Sequence, residues 1–156
     1  MKKILLFASG TGSNVENSIQ YFKNHHDIVV VGVFTNNPHA KVLEKAQKHH
    51  VPTLVFDRTA LTEGFVLDKI KELQPDLIVL AGFLWKMPEA IVAAYPNKII
   101  NIHPALLPKY GGKGMYGMKV HQTVLDNKEK ETGITIHYVN EHYDEGEFIL
   151  QQQVNI

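Results

Sequence analysis

Ile4-Leu5-Leu6-Phe7-Ala8-Ser9-Gly10-Thr11-Gly12-Ser13-Asn14-Val15 begins as an apolar run and breaks into a glycine-rich turn. Ile19 and Phe22 then continue from Val15 at i+4 and i+7, the spacing of one helix face. The apolar run, Ile4–Ala8, suits a strand covered on both sides, as parallel strands are. Strand, turn and helix recur down the chain. Ile28–Thr35, Thr53–Phe56, Leu77–Leu80 and Ile99–His103 read as further buried strands. Val42 with Ala46, and Val66 with Ile70 and Leu73, read as helix faces between them, and Pro88 suits the start of a short helix ending near Tyr95. Repeated strand-helix units predict an α/β fold: a doubly wound, mostly parallel sheet flanked by helices, with right-handed crossovers. After residue 103 the pattern changes. A loop holding Gly111, Gly112, Gly114 and Gly117 leads to a helix around Lys119–Asp126. Thr132–Val139 and Phe148–Val154 then read as C-terminal strands at one edge of the sheet.

Composition admits one such sheet and narrows its partners. With 156 residues and 44% hydrophobic content the chain can bury one core, without room for a second full domain. Sixteen basic and sixteen acidic residues cancel, with no block of like charge, which argues against nucleic acid. The absence of cysteine excludes disulfides, thiol nucleophiles and paired-cysteine zinc sites, and makes a cytoplasmic address the default. Ile4–Ala8 is too short for a signal peptide, and no apolar span reaches the roughly 18 residues of a membrane helix.

The strand ends carry the candidate chemistry. In the turn at 9–14, glycines permit close approach of an anion, hydroxyls add donors, and a helix N-terminus follows. An ordinary capped turn has the same ingredients. G-x-G-x-x-G fails at its last position, where Val15 stands, and Thr35-Asn36-Asn37 offers no acid for a ribose, so a nicotinamide cofactor is disfavoured. The lysine-bearing phosphate loop of nucleotide hydrolases is absent too. Asn101 and His103 project to one face of their strand, Ile100 and Ile102 to the other. Pro104 and Pro108 cannot continue a central ladder, so the chain leaves the sheet there and opens a loop. Thr135 and His137 share a face of a later strand, ahead of a turn that contains Asp144. Taken alone, Asn101 and His103 fit an exposed strand end better than a site, and nothing local rejects a solvent-facing edge for Thr135 and His137.

Four blocks in one order carry more. Ala8-Ser9-Gly10-Thr11-Gly12-Ser13-Asn14, Leu80-Ala81-Gly82-Phe83-Leu84, the run Asn101-Ile102-His103-Pro104-Ala105-Leu106-Leu107-Pro108-Lys109-Tyr110, and the stretch from Ile134 to Gly146 together resemble the folate-dependent formyltransferases. The likeness runs from about Lys3 to Gln153. It implies a Rossmann-like formyltransferase fold and transfer of a formyl group from 10-formyltetrahydrofolate, as co-substrate, to the amine of glycinamide ribonucleotide in purine biosynthesis. By the same resemblance Asn101, His103 and Asp144 are catalytic, and Gly12, Ser13 and Asn14 hold the substrate phosphate. Leu84, Trp85, Lys86, Met87, Ile102, Pro104, Thr135 and His137 would line the substrate and folate pocket. Better-known members carry an arginine where Trp85 stands, a departure that bears on contacts to the folate tail. The resemblance also implies a single domain over residues 1–156, lacking a C-terminal helical segment, in a monomer or homodimer.

The expected alternatives are another folate-dependent formyltransferase, a formyltetrahydrofolate hydrolase, or a non-catalytic phosphosugar-binding module that kept the glycine turn. Nine histidines raise the question of a metal. His25-His26 and His49-His50 are neighbours near predicted helix ends, where adjacent side chains diverge, and His137 and His142 lack a third ligand. No metal is expected.

Overall fold

Strand β1 (Lys2–Phe7) runs through the sheet interior of the computed structural model, which describes residues 1–140 and 146–156. Around it lie β2 (Ile28–Thr35), β3 (Thr53–Val55), β4 (Leu77–Leu80), β5 (Ile99–His103), β6 (Glu131–Tyr138) and β7 (Phe148–Asn155). The strand order is β3-β2-β1-β4-β5-β6-β7. Strands β1 to β5 pair in parallel, whereas β6 pairs antiparallel with both β5 and β7. This is the doubly wound, mostly parallel sheet with C-terminal strands at one edge that the apolar runs predict. The helices are α1 (Ser13–Phe22), α2 (Val42–Lys48), α3 (Arg58–Thr62), α4 (Phe65–Leu73), α5 (Glu89–Ala94) and α6 (Gly117–Asp126). Helix α3 is an addition to the expectation, because five residues are too few to show a helical period. Its start is marked instead by Asp57, whose Oδ1 accepts the Ala60 N–H at 2.8 Å.

The period of two along the strands sends alternate residues into two cores. Leu5 and Phe7 of β1 pack with Phe34, Ile78 and Ile99 against Leu61, Val66, Ile70 and Ile91 from α3, α4 and α5. Ile4 and Leu6 face the opposite way and pack with Val33 and Val79 against Val15, Ile19, Val42 and Ala46 from α1 and α2. Phe7 anchors the first core, with ring centroids 5.3 Å from Phe34 and 5.9 Å from Phe56. Removing a ring so placed costs about 3–5 kcal/mol. Strand β7 is exposed along its whole length and carries Phe148, Ile149, Leu150 and Val154. Among the described residues no helix is long and apolar enough to cross a membrane.

The strand order creates the site. From β1 the chain steps outward to β2 and β3, then returns to the other side of β1 for β4 and β5. The connections leaving β1 and β4 therefore part in opposite directions, and a crevice opens beyond their carboxyl ends.

Candidate active site

A cavity of about 800 Å³ occupies that crevice. Residues 9–14 after β1, 80–87 from the end of β4 onward, 101–104 at the end of β5, and 112–118 leading into α6 line it, together with His137 and Val139 from the β6 side. Of the residues singled out in the sequence, Gly12, Ser13, Asn14, Leu84, Trp85, Lys86, Met87, Asn101, Ile102, His103, Pro104 and His137 share this one cavity. Thr135 does not line it. Asp144 lies outside the described residues.

Each wall has a local cause. Gly12 caps α1 in the left-handed conformation, φ 72°, and a Cβ there would collide with the Val42 side chain. The Glu16 N–H closes the first turn onto the Gly12 carbonyl at 2.9 Å. The N–H groups of Ser13, Asn14 and Val15 then belong to a helix start, where no carbonyl four residues earlier can accept them and the dipole is positive. An anion fits that end of the cavity.

The opposite wall, 82–87, is mainly apolar. Phe83 packs edge-on against Phe7 with centroids 5.3 Å apart, which fixes the turn to the core. Met87 is 2% exposed, whereas Leu84 is open. Arg58, from the first residue of α3, lies over the Trp85 ring, 4.2 Å from its centroid. The wall thus carries a guanidinium although position 85 is an indole. Arg58 was missed in the sequence because it belongs to a helix too short to announce itself. The usable signal was the Asp57 cap, which follows β3 at the same sheet edge.

Between the walls, β5 delivers Asn101 and His103. The β5–β6 register sets Asn101 opposite His137 and His103 opposite Thr135. Asn101 Nδ2 lies 3.2 Å from His137 Nε2, and His137 Nδ1 lies 2.9 Å from the Tyr138 carbonyl. His103, 3% exposed, has Nε2 at 2.7 Å from the Tyr110 carbonyl. A carbonyl only accepts, so Nε2 of His103 carries a hydrogen. Thr135, 0% exposed, is occupied elsewhere: its hydroxyl donates to the Ala105 carbonyl at 2.7 Å and accepts from the Leu107 N–H at 3.0 Å. Its place is beneath the loop that leaves β5. Among the described residues, no group of three or more His, Cys, Asp or Glu stands together to hold a metal ion.

The formyl transferase family profile matches residues 2–156. The chain belongs to the formyl transferase family. A chloroplastic phosphoribosylglycinamide formyltransferase of Arabidopsis thaliana is 37% identical over 164 residues, covering 99% of this chain and 56% of the plant protein. This member of the formyl transferase family thus spans little more than half the length of that relative. The phosphoribosylglycinamide formyltransferase of Bacillus subtilis (strain 168) is 35% identical, over 100% of this chain and 80% of its own. The crystal structure of phosphoribosylglycinamide formyltransferase from Anaplasma phagocytophilum superposes with a TM-score of 0.89 at 34% identity, covering 99% of this chain and 72% of that one.

Proposed function

We propose that this formyl transferase moves a formyl group from 10-formyltetrahydrofolate to the amine of glycinamide ribonucleotide, a step of purine biosynthesis. The observation that carries the reading is the shared cavity: an anion-suited helix start and an apolar, ring-accepting wall flank Asn101 and His103. The relatives named above bear the corresponding name.

Both substrates find matching chemistry. Gly12, Ser13 and Asn14 would take the ribonucleotide phosphate at the start of α1. Phe83, Leu84, Met87 and Ile102 would take the flat folate ring, and Arg58 over Trp85 adds a cation on that side. Attack of the amine on the formyl carbon puts negative charge on the formyl oxygen, and fixed donors must meet it. The Asn101 amide supplies one. His103, held through Nε2 by the Tyr110 carbonyl, exchanges its proton at Nδ1 and supplies charge as imidazolium. Asp144 completes the proposal as the carboxylate that favours this charged ring and helps the amine proton towards the departing folate nitrogen. None of these roles requires a covalent bond to the protein.

Formyl transfer should be assayed with glycinamide ribonucleotide, methionyl-tRNA and water as competing acceptors. Turnover with the ribonucleotide, lowered by orders of magnitude in Asp144→Asn with folding intact, is the expected result. Preference for water or methionyl-tRNA would replace the acceptor, and saturable binding of a phosphate ester without transfer would make this a binding module.

A further inference from the structure

Three strand ends meet at one hydroxyl, that of Ser9. The residue follows β1 and is 5% exposed. Its N–H donates to the Gly82 carbonyl at 3.1 Å, and its carbonyl accepts from Asn37 Nδ2 at 3.4 Å. Its Oγ accepts the Leu84 N–H at 2.9 Å and donates to Asn36 Oδ1 at 2.6 Å. The direction of this chain is forced. A backbone N–H only donates, so the hydroxyl oxygen accepts and its hydrogen is left for Asn36. Bonds linked head to tail in this way polarise one another.

The consequence is geometric. Gly10, Thr11 and Gly12 continue from Ser9 into the anion-suited turn, while Leu84 stands in the middle of the apolar wall. Asn36 and Asn37 add the end of β2 as a third support. Gly82, at φ 77°, bends the chain so that its carbonyl and the Leu84 N–H both point back at Ser9. We propose that Ser9 is a positioning residue that fixes the 82–87 wall against the glycine turn and so sets the shape of the folate half of the cavity. The proposal rests on reading that wall as the folate side. Ser9 acts through Leu84 and Asn36 and touches no reacting atom.

Trp85 is the single tryptophan of the chain and lines the cavity, so its emission reports occupancy without turnover. 5-Formyltetrahydrofolate should be titrated into the wild type, Ser9→Ala, Ser9→Thr, Asn36→Ala and the Ser9→Ala/Asn36→Ala double variant. Ser9→Ala removes both bonds of the hydroxyl, and loss of the one that holds Leu84 corresponds to about a three- to tenfold weakening. Ser9→Thr, which keeps the hydroxyl, should return to within about twofold of wild type. The double variant should be no weaker than Ser9→Ala by more than about twofold, because both substitutions break one chain. Binding by Ser9→Ala at the wild-type level, with only a lowered thermal midpoint, overturns the proposal in favour of plain packing; so do additive losses, or a threonine variant that behaves like alanine. Asn36→Ala keeps the test open if Ser9→Ala does not fold, since a wild-type affinity there also overturns it. Wild-type protein that binds the folate probe but transfers no formyl group removes the proposed activity and leaves the role of Ser9 measurable. No binding by the wild type removes both.

Discussion

Asn101 and His137 form a directed pair across β5 and β6, with Nδ2 of the amide 3.2 Å from Nε2 of the ring. The Tyr138 carbonyl, 2.9 Å from His137 Nδ1, accepts only, so Nδ1 bears the hydrogen. In the neutral ring Nε2 is then an acceptor, and the Asn101 amide turns its NH2 group towards it. One N–H of the amide is used in this way, and among the described residues nothing takes the second. His137 thereby sets the orientation of the donor assigned to the formyl oxygen.

Asn101→Ala should lower kcat/KM for formyl transfer by about 10²–10³, the cost of one oxyanion donor. His137→Phe removes the acceptor while keeping a ring, and should cost about tenfold to a hundredfold through misplacement of the amide. In the double variant the two losses should not multiply, because both act on one group. Steady-state kinetics of the four proteins check this, and fully additive losses would separate His137 from Asn101.

Gly12→Ala should unfold earlier in urea. The left-handed backbone alone costs a non-glycine residue about 1–2 kcal/mol, and the new methyl meets Val42. Phosphate-ester affinity should fall with it, as the turn cannot move without shifting the start of α1. An unchanged midpoint would show that the turn tolerates a Cβ.

Thr135→Val should destabilise the chain by about 1–3 kcal/mol, because the Leu107 N–H loses a buried acceptor. Chemical unfolding measures it. A folate titration by Trp85 emission should show no loss comparable to that of Ser9→Ala, since Thr135 does not line the cavity. A larger loss of folate affinity than of stability would return Thr135 to the site.

Asp76 governs a pH effect. The Lys3 N–H, 2.8 Å from its Oδ2, together with the charges of Lys2, Lys98 and Lys3, holds the carboxyl below its ordinary 3.8. A carboxylate with a lowered folded-state pKa stabilises the fold above that ordinary value, and the contribution disappears as pH falls through the lowered one. The thermal midpoint of Asp76→Ala should therefore lie below wild type at neutral pH, with the gap closing in acid. A gap that persists at low pH would assign the effect to something other than ionisation.

Much of this architecture is legible in the chain. Ile4–Ala8, Ile28–Thr35 and Leu77–Leu80 are apolar almost without break, which only strands covered on both faces require. Strands β2, β4 and β5 begin and end where their apolar runs do. Arg58 was not legible as a wall residue, because α3 is five residues long and Trp85 is reached only through the fold. Thr135 shows the limit of alternation. A period of two places it on the face of His137, but it cannot reveal that the loop leaving β5 folds over it and takes both sides of its hydroxyl.

The sequence by itself determined the strands and most helices, the glycine-rich turn after the first strand, and the presentation of Asn101 and His103 on one strand face. These follow from local rules of sterics and side-chain period, which neighbouring residues satisfy among themselves. Only the tertiary structure decided which strand ends meet. Placing β4 beside β1 brings Ser9 to Leu84, and placing β6 beside β5 brings His137 to Asn101. Those contacts arise from long-range strand pairing, whose partners no local pattern names.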